Sequence, residues 1–201
     1  MPFLTPGITA SEFQDLFLES EDFPEPMEMI QDERDKGPDL NDAAFRKYRG
    51  LLAGFRVWQG SFERPVWRVV DGRWAFPSIE KAEAYHVARL KPNSEGQPLV
   101  PGAEPVGEHC SVFGGTARGR LFPDMLMTAY CYIFRVHNIV VKLFIMQGPN
   151  VTDAKLKPEI VASIARRIEL RINEHSIAIG SSHKAERKWL EWLFNFVTRQ
   201  R

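Results

Sequence analysis

The chain has 201 residues, is 44% hydrophobic and 26% charged, and balances 26 basic against 26 acidic side chains. These proportions are those of ordinary globular proteins and exclude wholesale disorder, while zero net charge argues against a nucleic-acid binder, which needs a concentrated basic face. Two cysteines, Cys110 and Cys131, are too few for a disulfide framework, and there is neither a basic-then-apolar leader nor a run of roughly 18 apolar residues, so the expectation is a soluble protein of the reducing cytoplasm.

Neutrality hides a gradient along the chain. Residues 1–44 carry twelve acidic and two basic side chains, a local charge of −10, so the remaining 157 residues carry +10. Charge blocks are usually solvated, which makes a soluble acidic lead-in the favoured reading. The alternative is an arm packed over the basic body of its own chain or of a twin subunit.

Within this arm, Phe13, Leu16, Phe17 and Leu18 fall on one stripe of a short helix over 10–19, with Thr9 or Ser11 to cap it. Pro24, Pro26, Gly37 and Pro38 among acids predict a surface loop over 21–42, with Met27 to Ile30 as an isolated apolar patch. From Phe45 the composition turns β-branched and aromatic. Segments 50–58 and 66–76, separated by 60–65, read as a hairpin with Gly54 and Gly72 as bulges or points of close approach. Pro77 and Ser78 start a helix along Ile79, Ala82, Tyr85 and Ala88, expected to end before Pro92. A Pro/Gly-rich excursion follows, then a strand over 108–113 and a glycine-rich loop through Gly114, Gly115 and Gly119. The firmest local signal is a hairpin of 127–136 and 139–147 about His137-Asn138, with Asn138 expected in a left-handed turn position. A helix over 156–172 buries Leu156, Ile160, Val161, Ile164, Ala165, Ile168 and Ile172, capped by Thr152 or Asp153 with Pro158 in its first turn. A last helix over 183–199 is aromatic and basic.

These elements define an α+β protein with a central twisted antiparallel β-sheet flanked by helices, divided into an acidic arm (1–44), an α+β domain (45–175) and a C-terminal helix (183–201). The segments 45–60, 74–90, 100–113, 130–142 and the helix after them, within about residues 23–175, resemble the PsbP-like family, including the LpqN group of bacterial proteins. The resemblance implies an α/β/α sandwich and a binding or accessory role, with no common catalytic residues to carry over. The chain departs from the usual pattern by placing His137 where a glycine commonly precedes the hairpin Asn, and by lacking the exported N-terminus of many relatives.

Glu108, His109 and Cys110 put an acid, a base and a thiol in succession. Successive strand residues point to opposite faces, so His109 and Cys110 cannot share a hydrogen bond without a break in the strand, and both cysteines are read as small buried hydrophobes. Cys110 meets Cys131 only if their strands pair. No metal or cofactor is expected, because His86, His109, His137, His175 and His183 include no i, i+4 ligand pair.

The preferred contact surface is the last helix. It sets Trp189, Leu190, Trp192, Leu193, Phe194, Phe196 and Val197 beside Lys184, Arg187, Lys188, Arg199 and Arg201. Trp189, Trp192, Leu193, Phe196 and Arg199 are its candidate interaction residues. Burial against a protein partner or a second copy is favoured over a membrane surface, the alternative being a terminal helix wedged into its own domain beside the N-terminal helix. The sequence thus favours a non-enzymatic binding or accessory module. The alternative is a small enzyme or ligand-binding domain whose pocket lies between the sheet and the 91–126 excursion, lined by His109, Arg118 and Arg120.

Overall fold

The structure, a computed structural model, describes residues 8–34, 41–94, 98–118, 126–149, 151 and 156–175. One antiparallel sheet contains β1 (Glu28–Asp32), β2 (Leu52–Gln59), β3 (Arg68–Ala75), β4 (Glu108–Arg118), β5 (Leu126–Val136) and β6 (Ile139–Met146), in spatial order β1-β2-β3-β6-β5-β4. The helices are α1 (Ala10–Gln14), α2 (Ala43–Lys47), α3 (Ile79–Ser94) and α4, which covers 158–175. The architecture is the α+β sheet-and-helix arrangement that the order of elements predicts.

The period-two alternation of the strands sends two apolar sets to opposite faces. On one face Val69, Ala75, Val141, Leu143 and Ile145 join Phe13, Leu16 and Phe17 of the arm and Val161, Ile164 and Ile168 of α4. On the other, Ala53 and Val140 meet Phe45 of α2, Phe76, and Ala82 and Tyr85 of α3. Each fully buried side chain of this size contributes about 1.5–3 kcal/mol relative to exposure, so both helical layers are held mainly by burial.

Local chemistry fixes the joints. Pro158 opens α4, where its missing N–H is no loss. The α2 helix ends in a left-handed residue, Arg49 (φ 58°), with the Gly50 amide donating to the Phe45 carbonyl at 2.9 Å and Arg49 to Arg46 at 3.1 Å, the pattern of a Schellman stop. The β5–β6 hairpin is continuous from Ala129↔Met146 to Val136↔Ile139.

Five expectations are corrected. The 21–42 segment is not all loop: β1 lies within it and pairs with β2, with a bulge between Met29 and Gln31. Strand pairing wins because Glu33 and Phe55 go on exchanging backbone bonds past its end, and Gly54 lets that chain pass, since a Cβ there would lie 2.8 Å from the Arg34 Cα. The α3 helix runs through Pro92 to Ser94; a proline in the last turn forfeits a single bond, to the carbonyl of Ala88. Gly114, Gly115 and Thr116 are strand residues of β4 and not a loop, paired with Tyr130, Ala129 and Thr128. Gly114 is there for close packing, as a Cβ would sit 2.5 Å from the Ala129 carbonyl oxygen. The left-handed residue of the β5–β6 turn is His137 (φ 53°) and not Asn138, so His137 takes the conformation for which a glycine would serve. Finally, the acidic lead-in is not simply solvated: Phe13, Leu16, Phe17 and Leu18 are all buried.

Candidate functional site

The arm is tied to the sheet by arginines that hold its main chain. Arg73 and Asp71, two apart on β3 and therefore on one face, form a fully buried two-pronged pair at 2.9 and 2.8 Å. Arg73 Nη1 also donates to the Leu16 carbonyl, and Asp71 Oδ2 accepts from the Leu18 amide at 3.0 Å. The Arg73 guanidinium lies over the Phe17 ring, 4.7 Å from its centroid. Next to it on β2, Arg56 donates to the Leu18 carbonyl at 2.8 Å and pairs with Glu19 at 2.6 Å and Asp32 at 3.2 Å. From α4, Arg171 reaches Asp22 at 2.5 Å and Arg167 the Glu21 carbonyl at 3.1 Å. The acids of the arm thus meet the bases of the body, and the buried charges keep the partners that burial demands.

Where the arm leaves this clamp it walls a cleft of about 250 Å³, lined by Phe23, Pro24, Glu25, Pro26 and Met27, by Arg64, Pro65 and Val66 before β3, and by Ile160 and Ser163 of α4. Phe23 and Met27 are also core residues, and Phe23 stands edge-on to Trp58 with ring centroids 5.1 Å apart, so the floor is continuous with the core. The wall carrying Arg64 is fixed. Gly148 donates to the Arg64 carbonyl at 3.3 Å, and its missing Cβ would lie 2.1 Å from the Phe62 carbonyl oxygen. Three polar side chains reach the cleft. Ser163 donates to the Ile160 carbonyl within its own helix at 2.8 Å, and Arg64 Nη1 meets Glu25 Oε2 at 2.6 Å, both about half exposed at the rim.

A second cleft, of about 280 Å³, lies between α3 and the start of β4 and is lined by Glu83, His86, Val87, Leu90, His109, Cys110 and Ser111. It is bounded by α3 and β4 rather than lying between the sheet and the 91–126 excursion, and of the residues expected to line a pocket there it holds His109. Two β4 residues here, His109 and Cys110, face one β5 residue between the pairs Glu108↔Arg135 and Ser111↔Ile133; His109 takes φ 54° to make the bulge. The break does not join acid, base and thiol. His109 Nε2 points to Glu83, 3.8 Å away and exposed, whereas Cys110 packs on the α4 face. Burial raises the Cys110 thiol and lifts that of Cys131 to about 11, leaving both protonated and weakly nucleophilic. Burial also lowers His86, whose Nε2 lies 3.4 Å from the Ile133 carbonyl oxygen. The two cysteines do not meet, although their strands pair: Cys131 faces Phe113 and belongs to the α3 side. No group of three metal-ligating side chains occurs among the described residues.

The side chain of Arg118, together with Arg120, Trp189, Trp192, Leu193, Phe196 and Arg199, lies outside the described residues, as do the caps Thr152 and Asp153. Sequence reasoning missed Arg64 and Glu25, exposed residues from distant segments that carry no pattern. It also missed Asp71 and Arg73, although two charges at the inward positions between Val69 and Ala75 are a signal of a buried pair.

No family model matches the chain, and no curated protein matches it. Among solved structures it is similar to the extracellular domain of PknH from Mycobacterium tuberculosis, at 12% identity and a TM-score of 0.59, over 85% of this chain and 99% of that one. The likeness shows a shared α+β fold. It also overturns the expectation of a cytoplasmic location, because the matching domain is extracellular. No helix among the described residues is long and apolar enough to cross a membrane.

Proposed function

We propose that the chain is a non-enzymatic binding or accessory module of the PsbP-like kind, and that its binding site is the apolar cleft between the arm, the β2–β3 connection and α4. The observation that carries this reading is a fixed, open, largely apolar cavity continuous with the core, with polar groups confined to its rim, the usual form of a small-ligand site. At about 250 Å³ it lies below the roughly 300–1,000 Å³ of drug-sized sites, so the occupant is small. The fold of the PknH extracellular domain is compatible with a role in binding. The test is titration with 1-octanol, followed by amide chemical shifts in nuclear magnetic resonance. Shifts should concentrate at 23–27, 64–66 and 160–163, and Ser163→Trp, which fills the mouth from an exposed position, should abolish them. Shifts spread over the surface, or unchanged in the filled variant, would remove the cleft from consideration.

Residues 183–201 remain a proposed surface for a protein partner or second copy, motivated by their aromatic surplus. If Trp192→Glu leaves self-association by light scattering and partner capture by pull-down unchanged, that surface is ruled out.

A further inference from the structure

Resting on the cleft as the binding site, we infer that its ligand is an aliphatic carboxylate whose headgroup takes the place of Glu25 on Arg64. The apolar surface that would meet the chain of such a ligand is mostly aliphatic and proline-rich, with Pro24, Pro26, Met27, Pro65, Val66 and Ile160 beside one aromatic ring, Phe23. Of the polar groups, Ser163 spends its proton on the Ile160 carbonyl and offers little selectivity. The guanidinium of Arg64 is different. It has five N–H donors in a planar fork suited to a carboxylate, and among the described residues its side chain meets Glu25 through Nη1 alone, at 2.6 Å. Glu25 itself lies on the arm between Pro24 and Pro26, so a carboxylate already sits on Arg64 at the mouth of an apolar cavity. An exposed ion pair of this kind is weakly held. An incoming carboxylate therefore exchanges with Glu25 at small cost, while its chain is buried below. The backbone of Arg64 does not move to allow this, being pinned by the bonds from Gly148 to its carbonyl and from its own amide to the Ser61 carbonyl.

The experiment compares octanoate with 1-octanol, which share a chain and differ in charge, on the full chain and on Arg64→Gln and Glu25→Gln. Both sites are about half exposed, so neither variant should disturb folding, which circular dichroism verifies. Octanoate is expected to bind about threefold more tightly than octanol, the equivalent of one half-exposed ion pair. Arg64→Gln should remove that preference and leave octanol unchanged, and Glu25→Gln should tighten octanoate alone. Equal affinities in the parent chain, or a preference that survives Arg64→Gln, would overturn the carboxylate inference while leaving the cleft as a site. Binding of neither compound at 23–27 and 160–163 would overturn both.

Discussion

At Asp42 one carboxylate serves two elements. Its Oδ1 caps α2 by accepting from the amides of Ala44 and Phe45 at 2.9 and 3.0 Å, and its Oδ2 accepts from the Tyr85 hydroxyl of α3 at 2.8 Å and pairs with Arg89 at 3.0 Å. Burial alone would raise this group, but the Phe45 amide, the Tyr85 hydroxyl, Arg89 and the Ala44 amide together outweigh it and hold the carboxyl below its ordinary value. The sign of the linkage follows. A carboxylate depressed in the folded state stabilises the fold above its unfolded value of 3.8, and that contribution is lost as pH falls through the lower folded value. Asp42→Ala should therefore cost about 1 kcal/mol or more at neutral pH, the usual range for a lost N-cap. The difference between variant and parent should shrink as the pH is lowered from about 4 towards 2. Urea midpoints at several pH values measure it, and a difference independent of pH would mean that Asp42 acts by packing alone.

The β5–β6 hairpin shows what was readable at the scale of an element and what was not. Alternating β-branched and aromatic residues on both sides of His137-Asn138 define the two strands and their register, because a slip of one residue would turn Tyr132, Phe134, Val141 and Leu143 out of the core. The conformation of the turn was not readable in the same way, since a dipeptide of His and Asn admits more than one assignment. Asn138 is instead a tie: its amide Nδ2 donates to the Phe76 carbonyl at 2.6 Å, and the Phe76 amide returns a bond to its carbonyl at 3.0 Å. The hairpin is thereby joined to the entry of α3. His137→Gly should be tolerated, whereas His137→Val should destabilise by about 1–2 kcal/mol through the left-handed strain on a β-branched residue. Asn138→Ala should lose about 1 kcal/mol with its half-buried bond. Thermal denaturation of the three variants checks the assignment. Equal midpoints for His137→Gly and His137→Val would return the left-handed position to Asn138.

At the scale of the molecule, the opposed charges of arm and body were legible, but whether they meet was not, because composition cannot say which carbonyls an arginine reaches. The cleft was illegible for a related reason: residues 23–27, 64–66 and 160–163 come together only once the clamp has fixed the path of the arm. The clamp makes a further demand on stability. Arg73 and Asp71 are fully buried, and their bonds to Leu16 and Leu18 hold the chain on either side of Phe17, which is fully buried as well. If the arm is an integral layer of the core, the Leu18 amide should exchange with solvent as slowly as the amides of β3 and β6, since only global unfolding opens all of them. Phe17→Ala should then lower the stability of the whole protein by about 3–5 kcal/mol. Asp71→Ala should do so by a similar amount, about 3–5 kcal/mol, because it strands the Arg73 charge in the interior. Tryptophan fluorescence and far-ultraviolet circular dichroism should shift together in both variants, since Trp58 lies in the same apolar cluster as Phe17 and the sheet supplies the dichroism. Fast exchange at Leu18, with a sheet transition left where it was by Phe17→Ala, would show that the arm opens separately, and the cleft it walls would then be a transient feature.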